Sequence, residues 1–153
     1  MNITLVSDLH LDISGHLDMP GGDVLIIAGD ACEARALIKE HHSTKILDRT
    51  PGGFPCSDFF EFECAKYKKV FYVLGNHEHY HGKYHKTWHE LIAEMPDNVE
   101  VLEQQTKEID GVLFIGATLW TDCNKGDPLT LHALTDMMND YRIGAAFERG
   151  PQQ

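Results

Sequence analysis

Long apolar stretches are missing from this chain: the longest uninterrupted runs, Val24–Ala28 and Val70–Leu74, are five residues each. A helix that crosses a bilayer needs roughly 18 or more, so no membrane association is expected. The N-terminus lacks a basic segment leading into an apolar one, and Asp8 and His10 interrupt the first hydrophobic run, so no secretory leader is expected and a cytoplasmic setting follows. Cysteine is sparse. The four thiols, Cys32, Cys56, Cys64 and Cys123, form no C-x-x-C pair and are expected to be reduced. Positive charge is scarce too: 13 Lys plus Arg against 24 Asp plus Glu give a formal net charge of −11. Such a surface repels an extended phosphate backbone unless bound divalent cations reverse the field locally, so nucleic acid is expected only as a substrate. Neither a G-x-x-x-x-G-K-[ST] loop nor a G-x-G-x-x-G turn is present, which argues against a nucleotide-binding α/β protein.

What is present is a balanced composition, 42% hydrophobic and 24% charged over 153 residues, suited to one globular domain spanning 1–153. Asn2–Ser7, Asp23–Gly29 and Lys69–Gly75 are short, rich in Val, Ile, Leu and aromatic residues, and end at glycine or polar clusters, as buried strands do. Helix-compatible stretches alternate with them at Ala34–Glu40 and Asp58–Lys66, the latter with Ser57 or Asp58 available as N-cap. That alternation predicts a largely parallel α/β sheet. Further on, Trp88, Leu91, Ile92 and Met95 form an apolar helical stripe closed by Pro96. A strand is expected at Asn98–Leu102, then a tight hairpin at Asp110-Gly111 between Thr106–Ile109 and Val112–Ala117. Pro128–Tyr141 reads as a last helix with Leu131, Leu134, Met138 and Tyr141 on one face. The irregular stretch His41–Ser57 has the length of a loop that serves as a substrate lid.

Three polar clusters each follow one of the first three strands: Asp8-Leu9-His10, Gly29-Asp30 and Gly75-Asn76-His77-Glu78. The carboxyl ends of parallel strands converge on one crevice, so these distant residues are expected to meet there. Carboxylate, imidazole and amide oxygen together suit Mn, Fe or Zn better than Ca. A carboxylate such as Asp30 can bridge two ions about 3.5–4 Å apart, the arrangement used for in-line phosphoryl transfer. Gly29 and Gly75 allow tight turns beside the ions. His79, His81, His85 and His89 crowd the stretch that follows and are read as surface or site-rim imidazoles rather than a separate zinc site, although His85 and His89 have the i, i+4 spacing for one. His41, His42 and His132 are weaker substitutes as ligands.

The series D-x-H, G-D and G-N-H-[DE], in this order, resembles the first three motifs of the calcineurin-like metallophosphoesterases, bacterial and phage members in particular. The segments Phe71–Leu74 and Gly116–Trp120 look similar to that group as well. The resemblance implies an αββα sandwich and a centre of two divalent metal ions hydrolysing phosphomono- or diesters. Position by position it implies that Asp8 and His10 bind the first ion, Asp30 bridges, Asn76 binds the second, and His77 contacts phosphate and protonates the leaving group. Glu78 would orient His77 through a hydrogen bond. The family's later ligands, a strand-end His and a Gly-His-x-His segment, have no counterpart here. The fold is therefore expected to be incomplete at the C-terminus, with the second ion weak or absent. A partner chain or self-association would complete it, and the alternative function is a non-catalytic remnant or half of a split phosphoesterase.

Overall fold

The structure is a computed structural model in which residues 1–42 and 55–140 are described. The first strand, β1 (Ile3–Val6), leads through a single helical turn, α1 (Leu11–Ser14), to β2 (Gly22–Ala28) and helix α2 (Ala34–His42). A helical stretch from Cys56 to Lys66 follows. It opens with one turn, α3 (Cys56–Asp58), widens to a π-turn over Phe59–Glu63 and tightens to a 3₁₀ turn over Cys64–Lys66. It starts earlier than the sequence suggests, because Pro55 occupies the N-cap instead of Ser57 or Asp58. Proline's fixed φ suits the entry to a helix without any side-chain cap. Strand β3 (Tyr67–Val73), helix α4 (Tyr84–Glu94) and strand β4 (Val99–Val101) complete the main unit.

The fold class is α/β, as the alternation of strand and helix predicts. Strands β1 to β4 form one sheet in sequence order, every neighbouring pair parallel. Its helical face holds the larger core, where Leu25, Ile27, Val70 and Tyr72 pack with Leu37 of α2, Phe60 and Leu91 of α4. Each such side chain contributes about 1.5–3 kcal/mol by leaving water. Of the stripe on α4, Leu91 is fully buried and Trp88 and Met95 pack against the core, whereas Ile92 is 42% exposed. The apolar arc is narrower than the periodicity implies.

The opposite face is covered in part by an antiparallel hairpin of β5 (Gln105–Ile109) and β6 (Val112–Gly116). Its turn residues Asp110 and Gly111 both have positive φ, 52° and 76°, the conformation a two-residue hairpin turn requires. Phe114 of β6 reaches Phe71, with ring centroids 4.8 Å apart, in a second cluster with Val24 and Leu102. The hairpin stops short of β1, where Ile3 and Leu5 remain 46% and 66% exposed. A left-handed turn, α5 (Cys123–Gly126), precedes helix α6 (Pro128–Met137), which is capped by Asp127 and has no buried residue. Its expected apolar face is only partly covered: Leu134 is half-buried, Leu131 is 40% exposed and Met138 falls beyond the helix, while Tyr141 lies outside the described residues. So does most of the stretch read as a lid, residues 43–54. No helix among the described residues is long and apolar enough to cross a membrane.

Candidate metal centre

Parallel strands make their carboxyl ends neighbours, and the backbone extends that register past the strands themselves. The Asp8 amide donates to the Gly29 carbonyl at 3.0 Å, the His10 amide to the Asp30 carbonyl at 3.0 Å and the Leu11 amide to the Ala31 carbonyl at 2.8 Å. The loops after β1 and β2 are thereby zipped together. Asp8, His10 and Asp30 each offer a ligand atom, and these atoms all lie within 4.8 Å of one another. The three residues have positive φ, 55°, 45° and 53°, a left-handed conformation that non-glycine side chains reach at a cost of roughly 1–2 kcal/mol each. His10 Nδ1 is buried with no hydrogen-bond partner. An imidazole grouped with two carboxylates, with a ring nitrogen left orphaned, fits a divalent cation.

The third loop is brought in by Asp30 and Glu78. The Asp30 carboxylate accepts from the His77 amide at 2.9 Å, and it fits only because residue 75 is glycine: a Cβ there would lie 2.1 Å from Asp30 Oδ1. Asn76 donates through Nδ2 to Asp140 at 2.6 Å and to the Tyr80 hydroxyl at 3.1 Å. Its carbonyl oxygen is the end these contacts leave for a cation.

His77 is 7% exposed and stands edge-on to His10, with ring centroids 4.5 Å apart. The hydrogen bond expected from Glu78 to His77 is not made. Asp12 takes that place, 3.0 Å from His77 Nε2. The Asp12 carboxylate holds the His77 pKa above the ordinary histidine value, against the opposing effect of burial. Burial pushes Asp12 up, but its hydrogen bond and charge interaction with His77 bring it below the usual carboxylate value. Asp12, Glu33 and His77 again have ligand atoms within 4.8 Å of one another.

Glu78 points into the protein and is wholly buried. Its Oε1 accepts from the Ala31 amide at 2.7 Å and the Tyr72 hydroxyl at 2.6 Å, its Oε2 from the amides of Gly75 at 2.7 Å and Asp30 at 3.2 Å. Burial raises its pKa and these donors pull it back, with a net rise. Glu78 is a clamp between the second and third loops, shielded from any substrate.

The other histidines divide. His79 is buried, not at the rim, and burial pushes its pKa down to about 4. His81 is a rim residue, with Nδ1 3.1 Å from Glu33. His132 sits on the exposed side of α6, 3.9 Å from Asp136, and His89 is exposed; the side chains of His41, His42 and His85 lie outside the described set. A separate group of His16, Asp18 and Glu63 could also approach a cation, but the Lys66 ammonium, 2.7 Å from Glu63, already supplies positive charge there. Sequence reasoning missed Asp12, Glu33, Tyr80 and Asp140. Only Asp12 left a signal, as the third member of the alternation Asp8-x-His10-x-Asp12.

A family model described as calcineurin-like phosphoesterase matches residues 1–143. Uncharacterized protein L509 of Acanthamoeba polyphaga mimivirus is 28% identical over 93 residues, which cover 56% of this chain and 32% of that protein. The match thus spans about a third of the relative's length.

Proposed function

The chain belongs to the calcineurin-like phosphoesterase family, and from that premise we propose that it hydrolyses phosphomono- or diesters at a dinuclear metal centre. The observation that carries this is the convergence of Asp8, His10 and Asp30, with ligand atoms within 4.8 Å of one another. In this reading Asp8 and His10 would hold one ion, Asn76 the other and Asp30 both, a donor set that favours Mn, Fe or Zn. Such ions supply charge for the phosphoryl oxygens and acidify a water. The chain's own part is positional and protonic. His77, whose pKa the hydrogen bond to Asp12 raises, donates a proton to the departing alkoxide. Asp12 is a positioning residue, fixing the ring through Nε2. The four cysteines are buried and form no disulfide among the described residues, which suits a reducing, cytoplasmic setting.

Mn²⁺ titration of wild type and Asp30→Ala, followed by turnover of 4-nitrophenyl phosphate and bis(4-nitrophenyl) phosphate, tests the proposal. Two ions bound by wild type and lost in the variant, with ester hydrolysis lost alongside, is the expected result. Absence of Mn²⁺-dependent hydrolysis of both esters would sink it.

A second reading draws on the open sheet faces. Ile3 and Leu5 on β1, and Leu113 and Ile115 on β6 at 58% and 74% exposure, are apolar and uncovered among the described residues. A partner chain or a second copy covering them would complete the site, and this chain alone would then be inactive. Sedimentation equilibrium with activity measured across the same concentrations separates the two: activity that tracks the assembled species supports completion, and a fully active monomer excludes it.

A further inference from the structure

Helices α2 and α4 follow β2 and β3, which are adjacent parallel strands. Both helices therefore begin at the carboxyl edge of the sheet, beside Asp30 and His77. Between them lies a cavity of about 690 Å³, within the usual range for a small-molecule site. Its charge is opposite to that of the chain. In a protein of net charge −11, Arg35 and Lys39 line one wall and Lys83 and Lys86 the other. Glu90 opposes them, whereas Glu78 lies behind the wall, wholly buried and fully engaged by backbone amides and Tyr72.

The backbone adds to this field. The cavity is lined by the first turns of both helices, the ends that carry partial positive charge. The remaining wall, with Ala34, Ile38 and the methylene stems of the lysines, is apolar. Cations around an apolar wall suit an anionic group attached to an organic body. The cavity borders the site: His81 lines it and contacts Glu33 at 3.1 Å, and Glu33 shares a cluster with Asp12 and His77.

We propose that this cavity receives the leaving-group part of the substrate, and that the substrate is an organic phosphate whose leaving group carries a second anionic group, as a nucleoside bisphosphate does. The proposal rests on the phosphoesterase reading above, in which the alkoxide departs on the side of His77. Hydrolysis breaks the bond from phosphorus to the leaving oxygen, water supplies the new oxygen on phosphorus, and His77 returns a proton to the alkoxide. The second phosphate remains among Arg35, Lys83 and Lys86 throughout.

Calorimetric titration of the full chain with adenosine 3′,5′-bisphosphate and with adenosine, with and without Mn²⁺, tests the cavity directly. The double variant Lys83→Gln/Lys86→Gln changes exposed side chains but keeps the Lys83 carbonyl that accepts from Lys86 and Thr87 at the start of α4. Bisphosphate is expected to bind wild type at least about tenfold more tightly than adenosine, and the double variant to lose about tenfold in bisphosphate affinity. The ratio of kcat/KM for the bisphosphate to that for 4-nitrophenyl phosphate, whose leaving group has no second phosphate, should fall by a similar factor. Equal bisphosphate affinity in the two proteins, or no saturable binding, overturns the assignment. Turnover of 4-nitrophenyl phosphate without bisphosphate binding sinks the cavity alone. Absence of turnover on any ester sinks the phosphoesterase reading and the leaving-group role with it.

Discussion

Glu78→Gln alters a carboxylate that no solvent reaches, and its consequence can be worked out atom by atom. Glutamine keeps one accepting oxygen and replaces the other with a donating nitrogen. If the nitrogen took the place of Oε2, the amides of Gly75 and Asp30 would both face a donor. If it took the place of Oε1, only the Ala31 amide would, because the Tyr72 hydroxyl can rotate and accept instead. The second orientation is favoured. One orphaned buried amide costs about 1–3 kcal/mol, and the two remaining amide bonds each weaken by about 1 kcal/mol when their acceptor loses its charge.

Relief of the buried charge offsets part of this loss. Burial raises the Glu78 pKa by more than its donors lower it, so removing the charge recovers some desolvation energy. The net destabilisation should be about 2–3 kcal/mol, within what a marginally stable domain can lose while remaining folded. Urea denaturation at pH 7 in chelator measures it. The same clamp carries Asp30, so Mn²⁺ affinity should fall by about 10–100-fold. Adding Tyr72→Phe removes the acceptor on which the glutamine nitrogen depends, so the double change should cost more than the two single changes together. A Glu78→Gln protein within about 0.5 kcal/mol of wild type, binding Mn²⁺ normally, would refute the clamp.

Asp12→Asn should leave Mn²⁺ affinity near wild type but lower kcat on 4-nitrophenyl phosphate by about 10–100-fold. Since Asp12 raises the His77 pKa, the descending limb of the pH–rate profile should move to lower pH; an unmoved limb would detach His77 from the proton transfer. Gly75→Ala places a Cβ 2.1 Å from Asp30 Oδ1 and 2.8 Å from the Asp30 nitrogen, so Asp30 must shift, and Mn²⁺ titration should show the bridge lost. His79 gives a pH dependence of stability. The unfolded side chain titrates near 6.5 and the folded one at about 4, depressed by burial. Its neutral form is fully accommodated above pH 6.5, and as pH falls toward 4 the unfolded state takes up a proton that the fold excludes. That gap corresponds to about 3 kcal/mol lost, and urea midpoints from pH 7 to 4.5 should decline less steeply in His79→Phe.

Strands β1 to β3 were legible because each is a short apolar run closed by the residues of the site itself. The hairpin was legible because Asp-Gly is one of few pairs that tolerate two positive φ values in succession. Partnerships across loops were not. Glu78 follows His77 in sequence, which invites a bond between them, yet the 3₁₀ turn at His77–His79 sends the two side chains in different directions. Asp12 is brought onto His77 by the left-handed His10 and the single turn of α1, a fold-back that its place in the alternation after Asp8 and His10 does not reveal. The basic cavity was equally hidden: Arg35 and Lys39, then Lys83 and Lys86, read as ordinary solvated helix faces until the adjacency of β2 and β3 sets them opposite one another.

The conformation of the strand ends bears on whether the site is designed or incidental. Asp8, His10 and Asp30 hold left-handed φ values that glycine would adopt with less strain, so at each position the chain forgoes stability to keep a side chain. Their carboxylates and imidazole are also drawn within 4.8 Å of one another, which adds repulsion between Asp8 and Asp30. Roughly 1–2 kcal/mol of backbone strain at each of three positions is a large fraction of the stability of a domain this size. A ligand selective for the folded state recovers about 2.7 kcal/mol at one hundred times its Kd, the same order as the strain. Mn²⁺ should therefore raise the urea midpoint of wild type, and Asp8→Gly, which leaves the Asp30 carboxylate on the His77 amide, should be more stable than wild type in chelator but less stable in saturating Mn²⁺. If the variant were less stable under both conditions, the left-handed Asp8 would be serving the fold rather than an ion.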